Sequence, residues 1–188
     1  QWEGKQTSTQ YYVNNAGVDT THVKYDKNHK TSVAVVEVFP PDSFTTLFFR
    51  EKCADIYIDY DDIPYEDVMK TRLLITSGTS FTGSPAREAI LYTMQRISLE
   101  QVAKPTIVLD IDFRESLWKS RNDAAFYLWQ ASTMADIIFA NDEELELLAG
   151  ICPSHNPIEE LLKTRERLVI HKKGRRGAVI HKKGEEVV

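Results

Sequence analysis

Cysteine is scarce in this sequence: there are two in 188 residues, Cys53 and Cys152. They lie far apart, without CxxC spacing or histidines at metal-ligand intervals, so neither a disulfide framework nor a zinc module is expected. A reducing compartment, the cytoplasm, fits that usage. Long apolar runs are also lacking. Nothing approaches the roughly 18 residues of a membrane span, and the opening QWEGKQTSTQ has neither the apolar segment of a signal peptide nor an initiator methionine. No membrane partner is expected, and the missing methionine fits processing or a piece of a longer chain. Charge of one sign is not in excess. With 23 basic and 28 acidic residues and a net charge of −5, nucleic acid is not an expected partner.

Several catalytic motifs are missing too. The stretch GTSFTGSP (78–85) has the glycine spacing of a phosphate-binding P-loop, but Ser84-Pro85 stands where Lys-Ser/Thr is needed. No GxGxxG opens a helix after a strand, and there is no GxSxG or HExxH. Dinucleotide, serine-hydrolase and zinc-protease chemistry are thereby excluded.

What is present is enough apolar sequence for one folded domain, 42% hydrophobic against 27% charged. TSVAVVEVF (31–39) and TTLFFR (45–50), separated by PPDS, predict a β-hairpin. A different rhythm follows. RLLITSG (72–78) predicts a strand. A helix follows from Ser84 to about Ala103, with Ser84 as N-cap, Pro85 in the first turn, and Ala86, Ile90, Leu91, Met94, Ile97 and Val102 as its apolar face. TIVLDID (106–112) predicts a strand, 122–133 a helix, DIIFA (136–140) a strand, 142–149 and 157–164 helices, and RLVIHK (167–172) a strand. Such alternation implies a parallel sheet with helices on both faces and all its strand ends at one edge. The repeated VIHKKG at 169–174 and 179–184 reads as a hairpin turning at Gly174 and Gly177.

Sheets of this kind bind ligands beyond the carboxyl ends of their strands. After LLI come Thr76, Ser77 and Gly78; after IVL come Asp110, Asp112 and Arg114; after IIFA come Asn141 and Glu144; after LVI come Lys172, Lys173 and Gly174. If 110–114 continues extended, the two carboxylates and the guanidinium share one side, with Ile111 and Phe113 on the other. They would orient a small polar ligand or form an internal ion-pair network. Asn141 and Glu144 have the spacing of a helix capping box, which requires no ligand and is compatible with one. HKKGRRGA (171–178) suits phosphate, or a solvated basic turn. These alternatives stand open on the residues alone.

Taken together, DSFTTLFFREKCAD (42–55), VLDIDFRESLW (108–118), ANDEELELLAG (140–150) and VIHKKGRRGAV (169–179) resemble, in that order, the ribokinase-like (phosphofructokinase B-type) carbohydrate kinases. The DIDFRxxLW and FFRExCAD segments are most similar to the branch acting on 5-dehydro-2-deoxygluconate, in inositol catabolism, or on 2-keto-3-deoxygluconate. The resemblance implies an α/β fold: a parallel sheet with mixed edge, helices on both faces, and a small β lid over about 31–50 beside a core at 71–188. It implies ATP and Mg²⁺ as cofactors, a sugar acid as substrate, and a homodimer through the lid. Phe48, Arg50, Asp112 and Arg114 are then expected at the substrate, with Phe48 standing where some relatives have a tyrosine. Asn141, Glu144, Lys172 and Gly174 are expected at the nucleotide and Mg²⁺, with Glu144 at the metal. The family's G-A-G-D segment, which carries the catalytic base, has no counterpart here. The expectation is a partial domain, 1–188, with little or no kinase activity alone. A sugar- or nucleotide-binding module without catalysis is the alternative, and an unrelated α/β protein with structural strand-end residues is a third.

Overall fold

The computed structural model describes residues 8–40, 43–101 and 103–187. After a short helix α1 (Ser8–Asn15), the valine-rich run forms β1 (Val33–Phe39), antiparallel to β2 (Ser43–Phe49) with Val33 opposite Phe49 and Val38 opposite Phe44. Because VAVVEVF is apolar at both parities, the ribbon has no polar face. Val36, Val38 and Phe44 are 54, 67 and 62% exposed. The hairpin is rooted by a bridge from Lys30 to Cys53 and by the Ala54 N–H donating to Lys30 O at 2.8 Å.

The core follows a one-turn helix, α2 (Tyr65–Val68). Its elements are β3 (Leu73–Ser77), α3 (Ala86–Leu99), β4 (Thr106–Asp110), α4 (Arg121–Met134), β5 (Ile137–Asn141), α5 (Asp142–Ala149), α6 (Pro157–Thr164), β6 (Leu168–Lys172), β7 (Ala178–Lys182) and β8 (Glu185–Val187). The sheet runs β3-β4-β5-β6-β7-β8, parallel from β3 to β6 and antiparallel beyond. Leu109, Ile138 and Val169 of the sheet bury themselves against Met94, Ile97, Leu128, Leu148 and Leu161 of the helices.

Three expectations need correction. The helices α3 to α6 touch one another in sequence and form one layer. A strand order that only ascends puts every right-handed crossover on the same side, so among the described residues the helical layer covers one face rather than two. On β3, Leu73 and Ile75 stay 50 and 70% exposed.

Second, α3 is capped at Pro85, not Ser84, and without a side-chain cap bond. Ser84 lies one residue too far back to reach the first free N–H groups, and its hydroxyl bonds the Glu88 carboxylate instead. The helix ends at Leu99, with Glu100 extended. Val102 of the predicted apolar face lies outside the described residues.

Third, the backbone leaves the strand at Asp110. Asp112 has φ +36°, the left-handed region, so 110–114 is not extended. Asp110 Oδ1 accepts the Asp112 N–H at 3.3 Å, the local bond by which an aspartate bends its own chain. The partition of side chains survives the bend: Ile111 and Phe113 are 0 and 7% exposed.

Gly174 and Gly177 shape the β6–β7 turn with φ +59° and +84°, values that glycine adopts without steric cost. β8 has no signal in the sequence beyond Gly184. Among the described residues no helix is long and apolar enough to cross a membrane.

Candidate functional site

The carboxyl ends of β3 and β4 face the lid across a cleft of about 450 Å³, lined among others by Phe48, Arg50, Asp55, Thr79, Asp112 and Arg114. β3 hands over to a turn, Gly78–Phe81, in which the Thr79 N–H donates to the Ser77 hydroxyl at 3.4 Å. That turn presents its backbone to the lid. Arg50 Nη1 donates to Thr79 O at 2.5 Å and to Thr82 Oγ1 at 2.6 Å, while its Nε bonds Asp55 Oδ2. Arg50 therefore pins the base of the lid to the end of β3. The other oxygen of Asp55, Oδ1, is buried and has no hydrogen-bond partner among the described residues.

Across the cleft, Arg114 donates to Asp112 Oδ1 through Nε at 2.9 Å and approaches it through Nη2 at 2.8 Å. The Ser77 hydroxyl donates to Asp112 Oδ2 at 2.9 Å. Both Asp112 oxygens are thus in use.

A second cluster forms at the ends of β4, β5 and β6. Asn141 and Glu144 make the predicted capping box of α5: Glu144 N donates to Asn141 Oδ1 at 2.9 Å, and Asn141 N donates to Glu144 Oε2 at 2.7 Å. The buried carboxylate does more than cap. Its Oε1 accepts the Phe113 N–H at 3.1 Å, and Lys172 Nζ lies 3.4 Å from Oε2. Lys172 also donates to Asp110 Oδ1 at 2.7 Å. Burial works against the Lys172 charge, but the bond to Asp110 and the nearby Glu144 carboxylate outweigh it and raise its pKa above 10.5. It is an ammonium at neutral pH. Beyond it, Lys173 Nζ and His171 Nε2 meet Asp142 Oδ1 at 2.8 and 2.7 Å, and these bonds hold that carboxyl below its usual range. Asp110 links the clusters, accepting from Lys172 on one side and from the Asp112 N–H on the other.

Comparison with known proteins decides what this arrangement belongs to. Residues 5–188 match the model of the pfkB family carbohydrate kinases. The chain belongs to that family. A 5-dehydro-2-deoxygluconokinase of Shouchella clausii is 32% identical over 166 residues, which is 87% of this chain and 50% of that protein. The fructokinase of Vibrio cholerae, solved with fructose, ADP and calcium, superposes with a TM-score of 0.78 at 22% identity over 95% of this chain and 56% of its own. The ATP-bound fructokinase of Xylella fastidiosa gives 0.80 at 21% identity over 93% and 53%. The two structures share the fold. The chain spans about half the length of the curated relatives it matches.

Within this pfkB chain, the four residues expected at the substrate line one cleft, and Asn141, Glu144 and Lys172 meet in the neighbouring cluster. Gly174 stands at the turn that follows Lys172. The trio of Asp110, Asp112 and Arg114 divides instead of acting together, Asp110 going to Lys172. Sequence reading missed Asp55, Thr79 and Thr82 as partners of Arg50. Only the polar run after LLI pointed near them. Among the described residues no group of three or more His, Cys, Asp or Glu side chains could hold a metal ion, so a cation here would rely on few protein ligands.

Proposed function

We propose that this chain forms the sugar-binding part, and one side of the phosphate-binding part, of an ATP-dependent carbohydrate kinase acting on a keto-deoxy sugar acid of the 5-dehydro-2-deoxygluconate or 2-keto-3-deoxygluconate type. The observation that carries this reading is the single cleft in which the lid's Phe48 and Arg50 face Asp112 and Arg114 of the strand ends. Arg114 would take the acid's carboxylate, Phe48 would cover the apolar side of the ring or chain, and Asp55 Oδ1 would accept a hydroxyl. Lys172, charged and held by Asp110 and Glu144, would offer a transferring phosphoryl group a positive partner. The reaction would be in-line transfer of the γ-phosphoryl group to a primary hydroxyl.

Mg²⁺ needs only one or two carboxylates because it keeps several waters and binds phosphate oxygens. The pair here fits that demand: the Asp110 side chain is 45% exposed beside the buried Glu144. Asp110 and Glu144 would hold the ion, and the bound ion would neutralise phosphate charge.

The test is calorimetric titration of the purified chain with 5-dehydro-2-deoxygluconate. Arg114→Ala is expected to weaken binding by about 10- to 100-fold, the loss of a charge-assisted pair. Unchanged affinity in that variant would remove the sugar acid from this cleft. A binding module without turnover is the second reading. It is favoured by the pairing of Asp112, whose two oxygens are both engaged. Little or no ATP-dependent phosphorylation by this chain alone is expected. Turnover at a kinase-like rate would rule that out.

The apolar lid also supports a homodimer. A two-stranded ribbon exposed on both faces is marginal in water and seeks a partner. Sedimentation equilibrium is expected to give a dimer, and Val38→Asp with Phe44→Asp, facing positions on the ribbon, is expected to give a monomer. A monomeric parent chain would defeat this assignment.

A further inference from the structure

The two arginines of the cleft are not equivalent. Arg50 is tied down by a carboxylate, a backbone carbonyl and a hydroxyl, and its side chain is 13% exposed. Arg114 is 43% exposed, and its hydrogen bond among the described residues is to Asp112. It uses two nitrogens on one oxygen of that carboxylate, although a guanidinium fork is shaped to grip both oxygens of its partner. The second oxygen of Asp112 belongs to Ser77. In charge, the cleft is closed: two guanidinium groups face two carboxylates, Asp55 and Asp112. An incoming carboxylate therefore meets no open cation and must take one from a resident carboxylate. Arg50 would have to leave three partners to provide it. Arg114 has one to leave, on the more exposed wall.

From this we infer that Asp112 is an internal stand-in for the substrate carboxylate, occupying the Arg114 fork until a sugar acid displaces it. This rests on the sugar-acid reading above. On exchange, the ligand carboxylate takes Arg114 in the two-oxygen geometry that Asp112 does not reach. Asp112 keeps Ser77 and turns its freed Oδ1 to a ligand hydroxyl. The exchange is favourable only for a ligand with both groups. A carboxylate without hydroxyls strips Asp112 of its cation and returns nothing, so it is rejected. A neutral sugar leaves the pair intact and neither gains nor loses by it. Asp112 thus makes a cationic site selective among anions, by leaving a charge unpaired when the wrong one enters.

The backbone offers a clean variant. Asp112 sits at φ +36°, a region that asparagine tolerates as well as aspartate does, so Asp112→Asn keeps the size, the bend and an acceptor for Ser77 while removing the charge. The wild-type chain, Asp112→Asn and Arg114→Ala are titrated with 5-dehydro-2-deoxygluconate and with fructose as a neutral sugar. Acetate is then added as a competitor lacking hydroxyls. In Asp112→Asn, acetate is expected to compete about fivefold more strongly and the sugar acid to bind up to about fivefold more tightly, the range of a partly exposed ion pair. Fructose, which carries no carboxylate, should respond to Asp112→Asn less than acetate does. If Arg114→Ala loses the sugar acid while Asp112→Asn binds acid and acetate as the wild type does, or more weakly, Asp112 is a strut for Arg114 and the inference is overturned with the site reading intact. If the wild type, folded by circular dichroism, binds neither sugar, the site reading falls and the inference with it.

Discussion

Gly78→Ala is expected to destabilise the chain by roughly 3–5 kcal/mol or to prevent folding, the upper end of overpacking effects. Gly78 is buried where β3 turns into Gly78–Phe81, and a Cβ there would lie 1.9 Å from the carbonyl oxygen of Ile111 and 2.8 Å from Leu128 Cδ2. Leu128 can change rotamer. The carbonyl cannot retreat alone, because the Ile111 N–H is bonded to Phe139 O at 2.9 Å and the next residue is the bent Asp112. The clash would be transmitted to the cleft that Asp112 lines. Gly83 supplies the comparison: a Cβ there meets side-chain atoms of Ile56 at 3.2 Å, which can yield at about 1 kcal/mol or less. Thermal melts by circular dichroism on both variants measure the difference. A Gly78→Ala melt close to the wild type would mean that the end of β3 does not pack on Ile111 as described.

The parallel core was legible because each strand is a short apolar run and each helix has a local start signal. α5 begins where the Asn141 and Glu144 spacing predicts, since a capping box is made within four residues and needs nothing distant. Strand order is a different matter. It is decided by which strands lie side by side, and no run of residues announces an ascending order; the one-sided helical layer was therefore hidden. α3 shows the same limit on a smaller scale. Ser84-Pro85 looks like a helix start, but Ser84 spends its hydroxyl on Glu88 and the helix begins after the proline.

The candidate site was readable in the same uneven way. Alternation along DIDFR separated Ile111 and Phe113 from the charged residues even though the backbone bends, because burial of the two apolar side chains is what the bend preserves. Arg50 was expected at the substrate from its segment. Its partners were not, since Thr79 O and Thr82 Oγ1 lie 29 and 32 residues away and one of them is backbone, which every residue carries. Lys172 and Asp110 lie 62 residues apart. The parallel register brings them together: Asn141 lies beside Lys172 and Asp110 beside Phe139.

Glu144 has the second large expected effect. Its place in the proposed site is beside phosphate and metal, whereas its contacts are those of a buried keystone that is 4% exposed. Glu144→Ala would leave the N–H groups of Phe113 and Asn141 without an acceptor and Lys172 with one carboxylate instead of two. One buried donor, one part-buried donor and a lost cap together predict a loss of roughly 3–5 kcal/mol. Glu144→Gln keeps the shape and one acceptor oxygen but turns an amide N–H₂ toward the other donor, so about half that loss is expected. Urea unfolding of the three proteins should order them wild type, Gln, Ala, and amide exchange should quicken at Phe113 and Asn141 in the Ala variant. Phe113 lies between Asp112 and Arg114, so a weaker sugar affinity should accompany that exchange although Glu144 is not a lining residue of the cleft. If the Gln variant is as unstable as the Ala variant, the charge facing Lys172 matters more than the two backbone donors. In that case Glu144 belongs to the phosphate side of the site before it belongs to the cap.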